Sequence, residues 1–284
     1  MQASLPRNSR RCRAVSDPAR VFMKLNWIAG HMQLIIPDWA NVPQNIGALS
    51  TKRGGGASQG PYDDGNGGGG LNLGTHVNDA PQVVASNRAL LAAVLPAEPV
   101  WMTQVHSNHV IDAGDAEIGV EADAAIATRP GVVCAVQTAD CLPVLFADLQ
   151  GRVVGAAHAG WRGLVGGVLQ NTVERMRQAG AGQIVAWLGP AIGPEQFEVG
   201  ADVLSAFTDA APQLLTQTQA CFHPISARPG KYLADIYGLA RIALQQAGVQ
   251  GVYGGGLCTV TDRMFYSYRR DHVTGRMASL IWLK

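Results

Sequence analysis

Charge is scarce in this chain and nearly balanced. Only 15% of its 284 residues are Asp, Glu, Lys or Arg, and 22 basic residues face 21 acidic ones. Six of the basic residues, Arg7, Arg10, Arg11, Arg13, Arg20 and Lys24, fall in the first 31 positions against the single Asp17. The remainder, with 16 basic and 20 acidic residues, is mildly acidic. Such a body offers no electrostatic ground for a nucleic acid or an anionic membrane as partner. Long apolar runs are missing as well. None approaches the roughly 20 residues that span a bilayer, and the N-terminus lacks the continuous apolar core of a secretory signal. The five cysteines, Cys12, Cys134, Cys141, Cys221 and Cys258, are odd in number and scattered. That excludes a dense disulfide framework and points to a reducing cytoplasm.

What is present is a chain that is 47% hydrophobic, long enough to bury a sizeable α/β core. Residues 1–31 read as a disordered extension or a mis-assigned start, and the folded chain, 32–284, as one domain beginning near Met32. The glycine-dense stretch 54–70 reads as a flexible loop, because glycine at this density does not recover the entropy of ordering. Residues 79–95 carry a capping Asp79, a proline in the first turn and apolar residues at three-to-four spacing, which predicts a helix. Short β-branched runs over 100–105, 132–136, 144–146, 153–157 and 184–188 predict buried strands. Val165, Val168, Leu169, Thr172, Val173 and Met176 recur at helical period after His158. Further helices are expected over 202–207 and 233–247, and strand-like runs over 265–271 and 278–282.

Three residues with ligand chemistry sit at the ends of apolar runs. They are His106 in Gln104-Val-His106, Cys141 in Gln137-Thr-Ala-Asp-Cys-Leu-Pro143, and His158 in Ala157-His-Ala-Gly-Trp-Arg-Gly163. Their separations are far too long for a zinc knuckle, so only the fold brings them together. Taken singly, each is more often a hydrogen-bonded core histidine or a packed cysteine. Taken together, three ligands leave a tetrahedral zinc with one open position, as catalytic rather than structural sites do. The same set matches the trigonal arrangement of blue copper, but no clear axial Met accompanies it. His109 is a further ligand of opportunity that would close the site. Arg162 opens a helix, where it either binds an anion or pairs with a carboxylate such as Asp140. Arg53 and His76 are other anion candidates. Cys134, and with it Cys258, reads as inert core.

These motifs, with Trp187-Leu-Gly-Pro-Ala-Ile-Gly-Pro194 and Ser267-Tyr-Arg-Arg270, resemble the YfiH family from about Met32 to Lys284. Its members are also described as multi-copper polyphenol oxidoreductases or laccase-domain purine nucleoside phosphorylases. The resemblance implies a layered α/β sandwich with mixed sheets, distantly like the cytotoxic necrotizing factor catalytic domain. It implies a metal on His106, Cys141 and His158, zinc first and copper as the alternative. It also implies phosphorolysis of adenosine, inosine, guanosine and methylthioadenosine, with deamination of adenosine. Arg53, Asn72, His76 and Arg162 match family positions and become candidate phosphate or nucleoside contacts. The expected partners are purine nucleosides and phosphate, with no nucleic acid and no membrane, and the chain is expected to act as a monomer. Two other activities stay open: a copper phenol oxidase, and a hydrolase editing peptidoglycan precursors with Cys141 as nucleophile. The chain departs from the family in an insert at 65–70 and in Ser107, where glycine is usual.

Overall fold

The computed structural model describes residues 24–28, 32–117 and 119–284. Of the expected extension, residues 1–23 and 29–31 lie outside this range. In chain order the strands begin with β1 (Lys24–Ile28), β2 (Met32–Ile36), β3 (Ile46–Thr51), β4 (Gly54–Ser58), β5 (Val110–Asp112) and β6 (Ala124–Ala127). Then come β7 (Val133–Thr138), β8 (Leu142–Asp148), β9 (Val154–Ala159), β10 (Ile184–Leu188) and β11 (Glu198–Gly200). The last are β12 (Phe222–Pro224), β13 (Lys231–Ala234), β14 (Gly251–Gly254) and β15 (Met277–Leu283). The helices are α1 (Pro81–Ala92), α2 (Trp161–Val165), α3 (Val168–Gln178), α4 (Ala201–Ala210), α5 (Leu215–Gln219), α6 (Ile236–Gln246) and α7 (Tyr268–Asp271).

Among the described residues the strands form three sheets, ordered β1-β2-β3-β15-β7, β14-β10-β8-β9-β6-β5 and β11-β13-β12. The first is antiparallel throughout, whereas the second is mixed, with β10–β14 and β5–β6 parallel. The fold is thus α/β with mixed sheets, as expected.

Side-chain parity explains the layering. Along β8, Leu142, Val144 and Phe146 point to one face and Leu145 and Ala147 to the other. The first set packs on α3 and α6 through Val173, Met176, Leu239 and Leu244. The second meets Cys134, Val136 and Ile281 of the five-stranded sheet. The outer face of that sheet, Leu34, Leu49, Val133 and Leu280, packs on Leu91 of α1 and on Leu71 and Leu73. Four layers result, and the central strands are buried on both faces, which is why they read as continuous apolar runs rather than alternating ones.

Several elements differ from the sequence reading. Residues 100–105 form no strand: Val100 and Thr103 make only single bridges, to Cys134 and Glu121. The stretch 54–70 is ordered, with β4 and a 3₁₀ turn at Gly60–Tyr62. Buried Asn87 accepts from the Ala57 N–H and donates to Ser58 Oγ and to the carbonyls of Gly70 and Asn72. Asp63 and Asp64 accept N–H groups of Gly65, Asn66 and Gly68. Side chains thus satisfy the backbone that glycine alone leaves bare. Ala80 rather than Asp79 occupies the N-cap of α1, because the Asp79 carboxylate takes Ser58 Oγ and Asn72 Nδ2. The run 265–271 ends in the short helix α7, capped by Ser267 accepting from Arg270 N–H. The helix expected after His158 breaks at Gly167, whose φ of 87° leaves the right-handed region. No helix among the described residues is long and apolar enough to cross a membrane.

Candidate metal centre and its cavity

Antiparallel pairing brings two of the three ligands to one edge. Pro143 at the start of β8 is registered with His158 near the end of β9, so Cys141, immediately before β8, lies beside Gly160. By parity His158 shares the face of Val154 and Ala156, which looks toward the five-stranded sheet. His106 arrives from the loop before β5, with a left-handed backbone at φ 61°. A histidine in that region is uncommon and needs an anchor.

The anchor is Asp123, a fully buried residue just before β6. One carboxylate oxygen accepts the His106 N–H at 3.0 Å and His158 Nδ1 at 2.8 Å. The other accepts the N–H groups of Val105 and Ser107 and the Ser107 hydroxyl. The Ser107 hydroxyl therefore adds a hydrogen bond to the anchor that a glycine there would lack. The Gln104 side chain donates to the Gln137 carbonyl and accepts the Gln137 N–H, which pins the same segment to β7. Cys141 is presented by Asp140, also left-handed at φ 95°. Its carboxylate accepts from Thr259 Oγ1 and from the Arg269 N–H, both at 2.6 Å.

The outcome is a compact donor set. The ligand atoms of His106, Cys141 and His158 lie within 4.8 Å of one another, and Cys141 Sγ is 3.7 Å from His106 Nε2. Tetrahedral zinc with ordinary Zn–S and Zn–N lengths separates a sulfur from a nitrogen by roughly 3.5 Å. The residues therefore fit such an ion. Because His158 Nδ1 faces Asp123, its Nε2 is the atom turned to the metal position, an arrangement that also fixes the tautomer.

Electrostatics favours the ligating form of Cys141, whereas His158 must give up a proton before it can ligate. Burial opposes a charged Cys141, but the charge of His158 and hydrogen bonds from both histidines bring its thiol down to about 6. Burial likewise opposes a charged His158, yet Cys141 and Asp123 raise it to about 9. Burial also works against the Asp123 carboxylate, which His158 and Ser107 nonetheless hold at about 2. Cys141 and His158 thus form a thiolate–imidazolium pair from which a metal displaces a proton. Gly160 leaves room for all of this: a Cβ there would stand 2.7 Å from His106 Cδ2 and 3.1 Å from Cys141 Sγ.

The three ligands line a cavity of about 920 Å³ that also receives His76, Arg88 and Arg276. Other expected contacts lie elsewhere. Arg53 does not line it; its guanidinium is engaged by the Asp63 carbonyl and carboxylate and by Asp271. Asn72 is fully buried and structural, accepting the N–H groups of Gly74 and Arg276. Arg162 stacks over Trp161 at 4.5 Å, outside the cavity, and it does not pair with Asp140, whose oxygens Thr259 and Arg269 take. His109 is directed to the Glu121 carbonyl and stands outside the ligand group. Cys134 is buried core with its thiol pushed up, whereas Cys258 is half-buried and accepts the Gly193 N–H.

Sequence reasoning missed Asp123, Arg88 and Arg276. A signal for the first existed: a carboxylate opening the apolar run Asp123-Ala-Ala-Ile-Ala is a charge that needs partners if it is buried.

A thiolate and two imidazoles opening onto a cavity at the edge of a layered α/β sandwich define a class of metal-competent protein. Within that class the chain belongs to the family described as multi-copper polyphenol oxidoreductase laccase, whose model matches residues 47–284. It is similar to the purine nucleoside phosphorylase YfiH of Escherichia coli, 48% identical over 88% of this chain and 99% of that protein. A Pseudomonas aeruginosa purine nucleoside phosphorylase is also 48% identical, over 88% of this chain and 98% of its own. Among solved structures, a Neisseria meningitidis protein superposes with a TM-score of 0.78 at 48% identity, covering 88% of this chain and 99% of that one. YlmD of Geobacillus stearothermophilus gives 0.75 at 29% identity, over 92% and 99%. The resemblance carried by the motifs is borne out at the level of family and fold.

Proposed function

We propose that this chain is a zinc-dependent purine nucleoside phosphorylase of the cytoplasm that also deaminates adenosine. The observation that carries the reading is the His106–Cys141–His158 set facing a cavity with room for a nucleoside and a phosphate together; the names of the relatives support it. Two imidazoles and a thiolate suit zinc, which keeps three protein ligands and an open position where it catalyses. Bound there, zinc supplies Lewis-acid stabilisation of developing negative charge. The protein's own contribution is positional: Asp123 orients the His158 ring and holds the His106 backbone, and the cavity walls confine the reactants. In phosphorolysis a phosphate oxygen bonds to ribose C1′ as the C1′–N9 bond breaks, and the electron pair leaves on the purine, which takes up a proton. In deamination water adds at C6 of adenine and the amino group leaves as ammonia. The nucleosides expected are adenosine, inosine, guanosine and methylthioadenosine.

The test incubates zinc-loaded protein and its Cys141→Ala variant with adenosine, with and without phosphate, and separates the products by chromatography. Adenine and ribose 1-phosphate should form only with phosphate and inosine without it, all of them lost in the variant. Zinc-loaded protein that releases no adenine, or releases it without phosphate, overturns the phosphorylase reading.

One observation favours a second reading. Asp123 holds His158 by a hydrogen bond, and the charge of His158 helps lower the Cys141 thiol, the arrangement of a cysteine nucleophile with its base and orienting carboxylate. It would serve hydrolytic editing of a peptidoglycan precursor, the thiolate bonding to the acyl carbon as the amine leaves with a proton from His158, and water then cleaving the thioester. Release of serine from a muramyl-peptide nucleotide by metal-free protein, blocked by iodoacetamide, supports this route.

A further inference from the structure

We propose that Arg276, with His76 and Arg88 beside it, is the cavity's seat for a doubly charged phosphate group. The assignment deepens the phosphorylase reading and rests on it.

All three side chains line the same cavity as Cys141. They also act on one another: the charges of Arg276 and Arg88, added to burial, depress His76. Arg276 in turn lies within electrostatic reach of Cys141 and Asp140, which puts this cluster at the metal end of the cavity.

What separates Arg276 and Arg88 from Arg53 and Arg270 is that, among the described residues, no carboxylate is ion-paired with them. Arg53 and Arg270 are paired with Asp63 and Asp271. Glu98 also lines the cavity and its charge reaches Arg88, but its carboxylate accepts the indole N–H of Trp101 at 3.0 Å.

Both side chains are nonetheless held in place. Arg276 takes its backbone N–H to Asn72 Oδ1 at 2.9 Å and gives Nη1 to the carbonyls of Thr274 and Gly275. Its Nε and Nη2 make no hydrogen bond within the described residues. Arg88 gives Nε to the Leu73 carbonyl at 3.0 Å and lies over the Trp101 ring at 4.3 Å, and its terminal nitrogens make no hydrogen bond within the described residues.

Gathering like charges in a half-enclosed space, with no carboxylate ion-paired to them among the described residues, costs energy that an anion recovers. A planar guanidinium with two adjacent free N–H groups suits the oxygens of a phosphate, and a second arginine supplies the other charge. The fully buried Asn72, which sequence likeness had suggested as a contact, acts instead as a positioning residue for Arg276. The phosphate group is either the inorganic co-substrate or the 5′-phosphate of a nucleotide.

The test uses the full-length, zinc-loaded protein and measures binding of inorganic phosphate alone by calorimetry, before any turnover assay. Arg276→Gln should weaken phosphate binding about 10- to 100-fold, the loss expected for charge-assisted hydrogen bonds, with zinc content unchanged. Arg276→Lys should recover part of it, and Arg88→Gln should weaken it less. Phosphate held as tightly by R276Q as by the native protein, or held by the native protein only while Cys141 is intact and regardless of Arg276, overturns the assignment. So does a native protein that binds no phosphate.

Adenosine 5′-monophosphate is the second arm. If it displaces phosphate and binds more tightly, the seat is for a nucleotide phosphate. If phosphate binds more tightly in the presence of adenine, a base with which it does not react, the seat is for the co-substrate. Both outcomes require loss in R276Q. Because binding is read without catalysis, phosphate that binds at Arg276 in a protein releasing no adenine would sink the phosphorylase reading and leave the seat standing.

Discussion

Replacing Asp123 with asparagine removes one oxygen acceptor from a fully buried carboxylate that serves five donors. In one orientation the new amide nitrogen faces the backbone N–H groups of Val105 and Ser107; flipped, it faces the His106 N–H and the ring of His158. Either way two donors lose their partner, while the Ser107 hydroxyl can turn to accept. A buried donor stripped of its acceptor costs roughly 1–3 kcal/mol, so the substitution should cost roughly 2–6 kcal/mol. Part of that falls on stability and part on metal affinity, because His106 keeps its left-handed backbone only while Asp123 holds the amides around it. Carboxylates behind metal-ligating histidines typically govern affinity by about 10- to 100-fold. Competition with a chromophoric chelator should therefore show zinc held at least 10-fold more weakly by Asp123→Asn, and urea unfolding should show a lower midpoint. Native zinc affinity together with an unchanged midpoint would refute the role given to this residue.

Two further outcomes follow from the same geometry. Gly160→Ala keeps an accessible backbone, φ −62° and ψ 158°, but sets its Cβ against His106 and Cys141, so zinc content should fall well below one per chain while circular dichroism stays native. Full zinc occupancy in G160A would show that the two ligands give way easily. Far from the cavity, the fully buried Asp148 accepts from the Gly182 N–H and from the backbone and Nε of Arg152. Burial opposes its charge, yet these bonds hold its carboxyl below the usual range. A depressed carboxylate contributes stability that is present above its unfolded value near 4 and is lost as pH falls through the folded one. The native urea midpoint should drop below about pH 4 and Asp148→Asn should flatten that drop; parallel curves for the two proteins would remove Asp148 from the account.

The parts of this molecule that were legible in the sequence are those whose physics is local or chemically conspicuous. The buried face of α3 repeats at helical period. Cys141 and His158 end apolar runs, and antiparallel pairing of β8 with β9 carries both to one edge. Other parts depended on partners far along the chain. The glycine-rich stretch reads as mobile until Asn87, 30 positions beyond Ala57, is seen to bind its backbone. The run at 100–105 has the composition of a strand, but its backbone groups are taken singly by Val133, Val120 and Ala122 and, at Val105, by the Asp123 carboxylate.

The anion candidates show the limit most clearly. Arg53, Arg162 and Arg276 are indistinguishable as residue types, and matching a family motif does not say whether a cation is free. Asp271, 218 positions from Arg53, neutralises that side chain, and Trp161 takes Arg162. Arg276 sits beside the last strand with its charge open to the cavity. Whether a charge is structural or functional is thus decided by its distant neighbours, and a local reading of sequence can name the arginines without telling which of them is available to a ligand.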